Sequence, residues 1–327
     1  MKKIISFAMI TIMIMSMLVG CAKSTNETSK NDNNTNVKEE EISASVQPTE
    51  TSDTSFPITY TDARGKKVTI EKKPTRIAVS SWMITEKLLA MEKPPIASDT
   101  VEIMSTWESM KQYFEQYQIA DLGTEVNLEK LLEQKPDLIL ATTANEAIYD
   151  QLESIAPVVV FDVNVMFGDW QNSLREVSMV IGEEKAAEAF ISSLMSQITQ
   201  SKESIAMEGK SVAFLRLWSK TVYSMGISTC AAYYDNDNGL GLLAPEGWTD
   251  EIGELSLEAL AEMNPEYIFI STSEDETYMQ ELSKNTVWNN LTAVKEGHVY
   301  TIDLSALSGG ALAAQYGVQV VSESLTK

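Results

Sequence analysis

The chain has two cysteines, one histidine, and 25 lysines and arginines against 47 aspartates and glutamates, a formal net charge of −22. Each scarcity closes a class of function. Cys21 falls at the end of an N-terminal apolar run, so Cys230 has no partner and no disulfide framework holds the fold. Stability must come from a hydrophobic core, which a chain of this length readily builds. A lone histidine cannot assemble a multi-histidine metal cage. His298 could complete a Ser-His-Asp triad, but Gly297-His298-Val299-Tyr300 reads as the start of a strand. There is no Gly-x-Ser-x-Gly elbow and no histidine-rich metal motif, so a surface hydrolase lacks its usual nucleophile and base. Scarce positive charge argues against nucleic acid, whose binding rests on a basic surface. The first apolar run, Ile4–Val19, is short for a membrane span, which needs about 20 residues.

Lys2 and Lys3 precede that run, and Gly20-Cys21 follow it, the order of a secretory signal peptide. Leu18-Val19-Gly20-Cys21 resembles the bacterial lipobox, which implies that residues 1–20 are removed and that Cys21 carries a lipid. Loss of Lys2 and Lys3 takes the net charge from −22 to −24. Residues 21–55 are mostly Ser, Thr, Asn, Lys and Glu, too polar to offset the entropy of folding, and read as a disordered tether. Two acyl chains give a stable anchor, each buried methylene contributing about 0.8 kcal/mol. The expected location is extracytoplasmic, lipid-anchored at the outer face of the cell membrane.

Thr59–Ile70 reads as a β-hairpin turning at Asp62-Ala-Arg-Gly65. Short apolar strands then alternate with amphipathic helices. The strands are expected at Arg76–Val79, Asp137–Leu140, Val158–Phe161, Val212–Leu217, Tyr267–Ile270 and Val299–Ile302. Helices are expected near Thr85–Met91, Leu128–Gln134, Tyr149–Ile155 and Leu257–Met263. This alternation implies α/β domains with largely parallel sheets. From Asp169 to about Ala206 only Gly182 interrupts a helical pattern. Asp169–Ile181 should close a first lobe (56–182). Residues 183–207 should form one backbone helix of about 36 Å leading to a second lobe (208–327).

A repeat supports the two lobes. Asn127-Leu-Glu-Lys-Leu-Leu-Glu-Gln-Lys-Pro-Asp-Leu-Ile-Leu140 matches Ser256-Leu-Glu-Ala-Leu-Ala-Glu-Met-Asn-Pro-Glu-Tyr-Ile-Phe269 at an offset of 129. Each copy has an N-cap residue, a helix, a proline that stops it, and a short buried strand.

These features, with Thr61-Asp-Ala-Arg-Gly65, Pro74-Thr-Arg-Ile-Ala78, Leu122-Gly-Thr124, Ile155-Ala-Pro157 and Gly309-Gly310, resemble one family. It is the iron-siderophore and cobalamin class of ABC-importer binding lipoproteins, and the resemblance covers nearly all of Ile58–Thr326. The resemblance implies two Rossmann-like lobes with mainly parallel sheets, joined by a single long backbone helix. It implies a carrier, not an enzyme and without a cofactor, that delivers a ferric siderophore to a permease dimer with its ATPase; a tether and a single cleft work as a monomer. A corrinoid or haem is the alternative cargo, and sensing for a membrane receptor the alternative role. The resemblance also assigns Glu129 and Glu258, at matching places in the repeat, to docking on the permease. First-turn carboxylates are in any case stabilised by the helix macrodipole, by about 0.3–1 kcal/mol.

Ligands of such folds lie outside the carboxyl ends of strands. Reading off those loops nominates Trp82, Met83, Trp107, Arg216, Trp218, Tyr223, Tyr234 and Trp248, with Ser305–Ser308 closing the set. Aromatic rings there pack a bulky chelate and Arg216 holds anionic oxygens, or several of the rings are plain core. Two departures bear on the ligand. Thr124-Glu125-Val126 stands where hydroxamate-binding relatives often have an arginine, and Leu304-Ser-Ala-Leu-Ser308 where many have a tryptophan. A cleft poor in positive charge favours a neutral or cationic ligand over a multiply anionic catecholate, and leaves hydroxamate or citrate types in front.

Overall fold

The computed structural model describes residues 56–205, 209–272 and 275–326. The expected signal segment, Cys21 and the tether lie outside the described residues. The described part opens on an antiparallel hairpin of β1 (Ile58–Thr61) and β2 (Lys67–Ile70). Asp62 locks its turn: Oδ1 accepts the backbone N–H groups of Arg64 (3.0 Å) and Lys66 (3.1 Å), and Oδ2 accepts Nε of Arg64 at 2.9 Å.

β3 (Ile77–Val79), α1 (Trp82–Ala90), β4 (Ala97–Ser98), β5 (Ala120–Asp121), α2 (Leu128–Glu133), β6 (Leu138–Thr142) and β7 (Val158–Phe161) build the N-terminal lobe. Its sheet runs β5-β4-β3-β6-β7 and is parallel throughout. Both faces are covered, so β6 and β7 are buried at every position and their sequences are nearly continuous apolar runs. On one face Ala78, Ile139, Val158 and Val160 pack with Leu131 and Leu152. On the other, Val79, Leu140 and Val159 join the main core.

α3 (Val163–Gly168) and α4 (Trp170–Ile181) lead to the backbone helix α5 (Glu184–Ser204). Asp169 caps α4, accepting the N–H of Asn172 at 2.9 Å, and Gly182 ends it in the left-handed region at φ 68°. α5 has 21 residues, about 32 Å, and buries Ala187, Ile191, Leu194 and Ile198 at the spacing of one helical face.

The C-terminal lobe contains β8 (Val212–Trp218), β9 (Thr221–Ser224), β10 (Gly253–Glu254), α6 (Leu257–Met263), β11 (Tyr267–Ser271) and β12 (Val299–Thr301). Its sheet order is β10-β9-β8-β11-β12. Both sheets therefore share one layout: the first strand sits centrally, the next two lie to one side, and the last two to the other. β9 is the exception in direction, antiparallel to β8 and β10. Ser219 and Lys220 both have positive φ, 51° and 60°, which closes β8 and β9 into a two-residue hairpin. Tyr223, expected in a loop, is thus on a strand. The closing helix α7 (Ala311–Leu325) packs on α1, α4 and α5, across the join of the two lobes.

The sequence repeat has a physical counterpart in each lobe. Asn127 caps α2 by accepting the N–H of Lys130 at 3.0 Å, and Ser256 caps α6 by accepting that of Ala259 at 3.1 Å. The residues before the two prolines, Lys135 and Asn264, both adopt positive φ, 50° and 43°. The following acids tie each loop to the start of the central strand. Asp137 accepts the N–H groups of Thr75 and Arg76, each at 2.9 Å, and Glu266 accepts the N–H of Ser211 at 2.8 Å together with its hydroxyl.

Candidate functional site

The carboxyl ends of β3, β4, β7, β8 and β12 converge on a cleft of about 560 Å³. The N-terminal lobe contributes Trp82, at the start of α1, Thr100, Ile103, Thr106 and Trp107 from the segment after β4, and Phe167 from α3. Arg216, Met225, Ile252, Asp303, Leu304, Leu307 and Ser308 face them from the C-terminal lobe. Trp82 and Trp107 meet edge to face, with centroids 5.1 Å apart and planes at 85°. Ile103 and Ile252, one on each lobe, are exposed large apolar residues (47% and 38%), so the lining is hydrophobic at both sides. Its charged members are Arg216 and Asp303. Asp303 is held firmly: Oδ1 accepts the N–H of Ser305 at 3.0 Å, the Ser305 hydroxyl at 2.5 Å, and the N–H of Glu108 at 3.3 Å from the opposite lobe. Beside Thr100, burial pushes the Asp99 carboxyl up to about 6 against the pull of hydrogen bonds from Thr100 and Ser98.

Beyond the lining, the lobes touch directly. Glu86, buried on α1, takes the N–H groups of Leu312 and Ala313 in the first turn of α7, the latter at 3.2 Å. The adjacent Lys87, also buried, donates to the carbonyls of Met83 (3.1 Å) and Met166 (2.9 Å) and lies 3.6 Å from the Glu86 carboxylate. The glycine pair makes room for this join. A Cβ at Gly310 would fall 2.5 Å from the Glu86 carboxylate, and one at Gly309 (φ 72°) 2.3 Å from the Phe167 carbonyl oxygen.

Of the residues nominated from sequence, the structure brings Trp82, Trp107 and Arg216 together in the cleft. Trp218 is half exposed at the end of β8, with Arg216 over its ring at 5.5 Å and Tyr223 6.0 Å away, outside the lining. The Tyr223 hydroxyl donates to Glu254 at 3.3 Å. Met83 is partly buried against the main core. Tyr234 and Trp248 are both buried in the C-terminal lobe and neither lines the cleft, although Trp248 bonds to Met225, which does. The Tyr234 hydroxyl donates to the Val212 carbonyl at 2.9 Å, and the Trp248 indole N–H to that of Met225 at 2.9 Å. A buried aromatic whose polar tip finds a backbone partner packs as core. Sequence reasoning did not nominate Phe167, Met225, Ile252, Asp303 or Leu304. Asp303 follows an expected strand directly, and that position was the available signal. His298 stacks on Tyr267 at 4.2 Å, just before β12. Glu129 and Glu258 are exposed in the first turns of α2 and α6.

Two α/β lobes of one layout, bridged by a long helix and enclosing an apolar cleft, define a small-molecule binding protein of the helix-backboned type. The chain belongs to the periplasmic binding protein family, whose sequence model matches residues 77–306. It is 32% identical over 216 residues to the iron-uptake system-binding protein of Bacillus subtilis (strain 168), covering 62% of this chain and 67% of that one. A second relative in that organism, described as a probable siderophore-binding lipoprotein, is 26% identical over 97% of this chain and 96% of its own. The solved structure of the Bacillus subtilis triscatecholate siderophore binding protein FeuA with ferri-bacillibactin superposes with a TM-score of 0.67. It is 25% identical and covers 80% of this chain and 96% of that one. Among the described residues no helix is long and apolar enough to cross a membrane.

Proposed function

We propose that this chain captures a ferric siderophore, of hydroxamate or citrate type, in the cleft between its lobes and delivers it to an ABC permease dimer driven by its ATPase. The observation that carries the reading is the cleft of about 560 Å³ in which Trp82, Trp107 and Phe167 face Arg216. Such a space suits a compact chelate packed on rings, with a guanidinium for its oxygens. The relatives' names support the cargo.

In this reading the chain performs no covalent chemistry. Cys21 carries the lipid, residues 21–55 are the tether, and the body works as a monomer outside the cell membrane. Glu129 and Glu258, duplicated in the repeat and exposed on each lobe, dock on the two permease subunits. Their matching first-turn positions suit a partner with two-fold symmetry.

The test is tryptophan-fluorescence titration of the purified chain with ferric hydroxamates, ferric catecholates, citrate chelates, haem and cobalamin, corrected for inner-filter absorption. Saturation at submicromolar ferric chelate, weakened by Trp82→Ala or Arg216→Ala, is the expected result. Absence of binding by every ferric chelate overturns it.

A further inference from the structure

The cleft carries a negative charge where its proposed cargo sits. Resting on the siderophore reading, we infer that Asp303 selects the cargo by charge, in favour of a ferric trishydroxamate bearing a protonated amine. A ferric trishydroxamate is neutral at its metal centre, whereas a ferric triscatecholate is triply anionic.

Three observations converge. Asp303 lines the cleft, and its Oδ1 is fixed by Ser305 and by the N–H of Glu108 across the lobe boundary. Its Oδ2 takes no hydrogen bond among the described residues, so the carboxylate is oriented yet retains acceptor capacity. Glu108 directly follows Trp107, whose ring meets that of Trp82 in the same lining. A carboxylate in the same cleft as two indole rings offers an ammonium a charge-assisted hydrogen bond from the one and a cation–π contact from the others. Finally, Arg216 is the single basic residue among those lining the cleft. Opposed by Asp303, it leaves no net positive charge there to hold a triply anionic chelate. An acidic chain with 47 acids against 25 bases adds repulsion at low salt.

The experiment compares three probes on the purified full chain: ferrioxamine B, whose terminal amine is protonated; its N-acetyl derivative, which is neutral; and a ferric triscatecholate. Ferrioxamine B is expected to bind at least tenfold more tightly than the acetylated chelate, and both more tightly than the triscatecholate. Asp303→Asn keeps the acceptor for Ser305 and Glu108 while removing the charge. It should bring the ratio between the first two close to one and raise triscatecholate affinity. The wild-type ratio needs no variant, so a misfolded Asp303→Asn would still leave the inference testable. A wild-type ratio near one, a ratio unchanged in Asp303→Asn, or a preference for the triscatecholate overturns the inference while leaving siderophore capture intact. Failure of all three to bind, with binding of no other ferric chelate, overturns the siderophore reading itself.

Discussion

Glu86, on the N-terminal lobe, accepts the backbone N–H of Ala313, in the first turn of the C-terminal lobe's last helix, at 3.2 Å. The carboxylate occupies the positive end of that helix's dipole, where a partly buried anion is worth up to about 2 kcal/mol. Its neighbour Lys87 is driven towards its neutral form by burial, and Glu86 opposes the shift. The two side chains form a buried pair, and removing one partner should cost far more than replacing both. Glu86→Ala is expected to lower stability by about 3–5 kcal/mol, with Glu86→Gln and the double variant Glu86→Gln/Lys87→Met less severe. Urea unfolding of the three variants checks this.

Gly310→Ala places a methyl group against that carboxylate. We expect a loss of about 1–3 kcal/mol from overpacking, read as a lower urea midpoint. Glu86→Ala/Gly310→Ala should be less destabilised than the sum of its single changes, because the clash disappears with the carboxylate.

The two repeat acids predict how the fold responds to acid. Partial burial pushes Asp137 up, and hydrogen bonds from Thr75 and Arg76 outweigh it, so the carboxyl sits below its usual range. Glu266 is lowered in the same manner by Ser211. A folded-state pKa below the unfolded one, roughly 4, contributes stability that is full above that value and is lost as pH falls through the folded one. Asp137→Asn and Glu266→Gln should each lose about 1 kcal/mol at pH 7 and converge with wild type in strong acid. Urea midpoints followed from neutral to acid pH test this.

Asp99 titrates in the opposite sense. Its folded value, about 6, lies above the unfolded one, so the folded state takes up a proton first and gains stability as pH drops from 7 towards 4. Asp99→Asn should remove this gain and be more stable than wild type at pH 7, as measured by thermal unfolding across that range.

Cys230 is buried, and burial alone drives its thiol far above the ordinary range. A thiol reagent should leave it unmodified in the folded chain and label it once urea unfolds the body.

Much of the architecture was legible because its punctuation is local. Asn127 and Ser256 announce helix starts, Pro136 and Pro265 announce helix stops, and the apolar runs after them can only be buried strands. The hairpin at Ser219-Lys220 was not legible, since neither residue is a usual choice for positive φ. The start of α7 was equally hidden: Ala311-Leu-Ala-Ala314 is buried all round, and the exposed face that sets its period appears only at Gln319 and Glu323. In the site, Trp82 and Arg216 could be read from their strands, one just beyond β3 and the other near the end of β8. Tyr234 and Trp248 are buried, and the sequence alone does not record whether an aromatic beyond β8 faces a ligand or packs inward, as Tyr234 does on Phe214. Phe167 and Ile252 depend on which distant loops converge, and no local pattern records that.

The paired glycines bear on how the two lobes can move. Where Gly309 and Gly310 let one lobe rest on Phe167 and Glu86 of the other, the two bodies share a common wall as well as a helix. A wide swing would strip a buried carboxylate of its donors, so the join resists large changes in the angle between the lobes. A partner docked on both lobes would have to work against that wall to prise it apart.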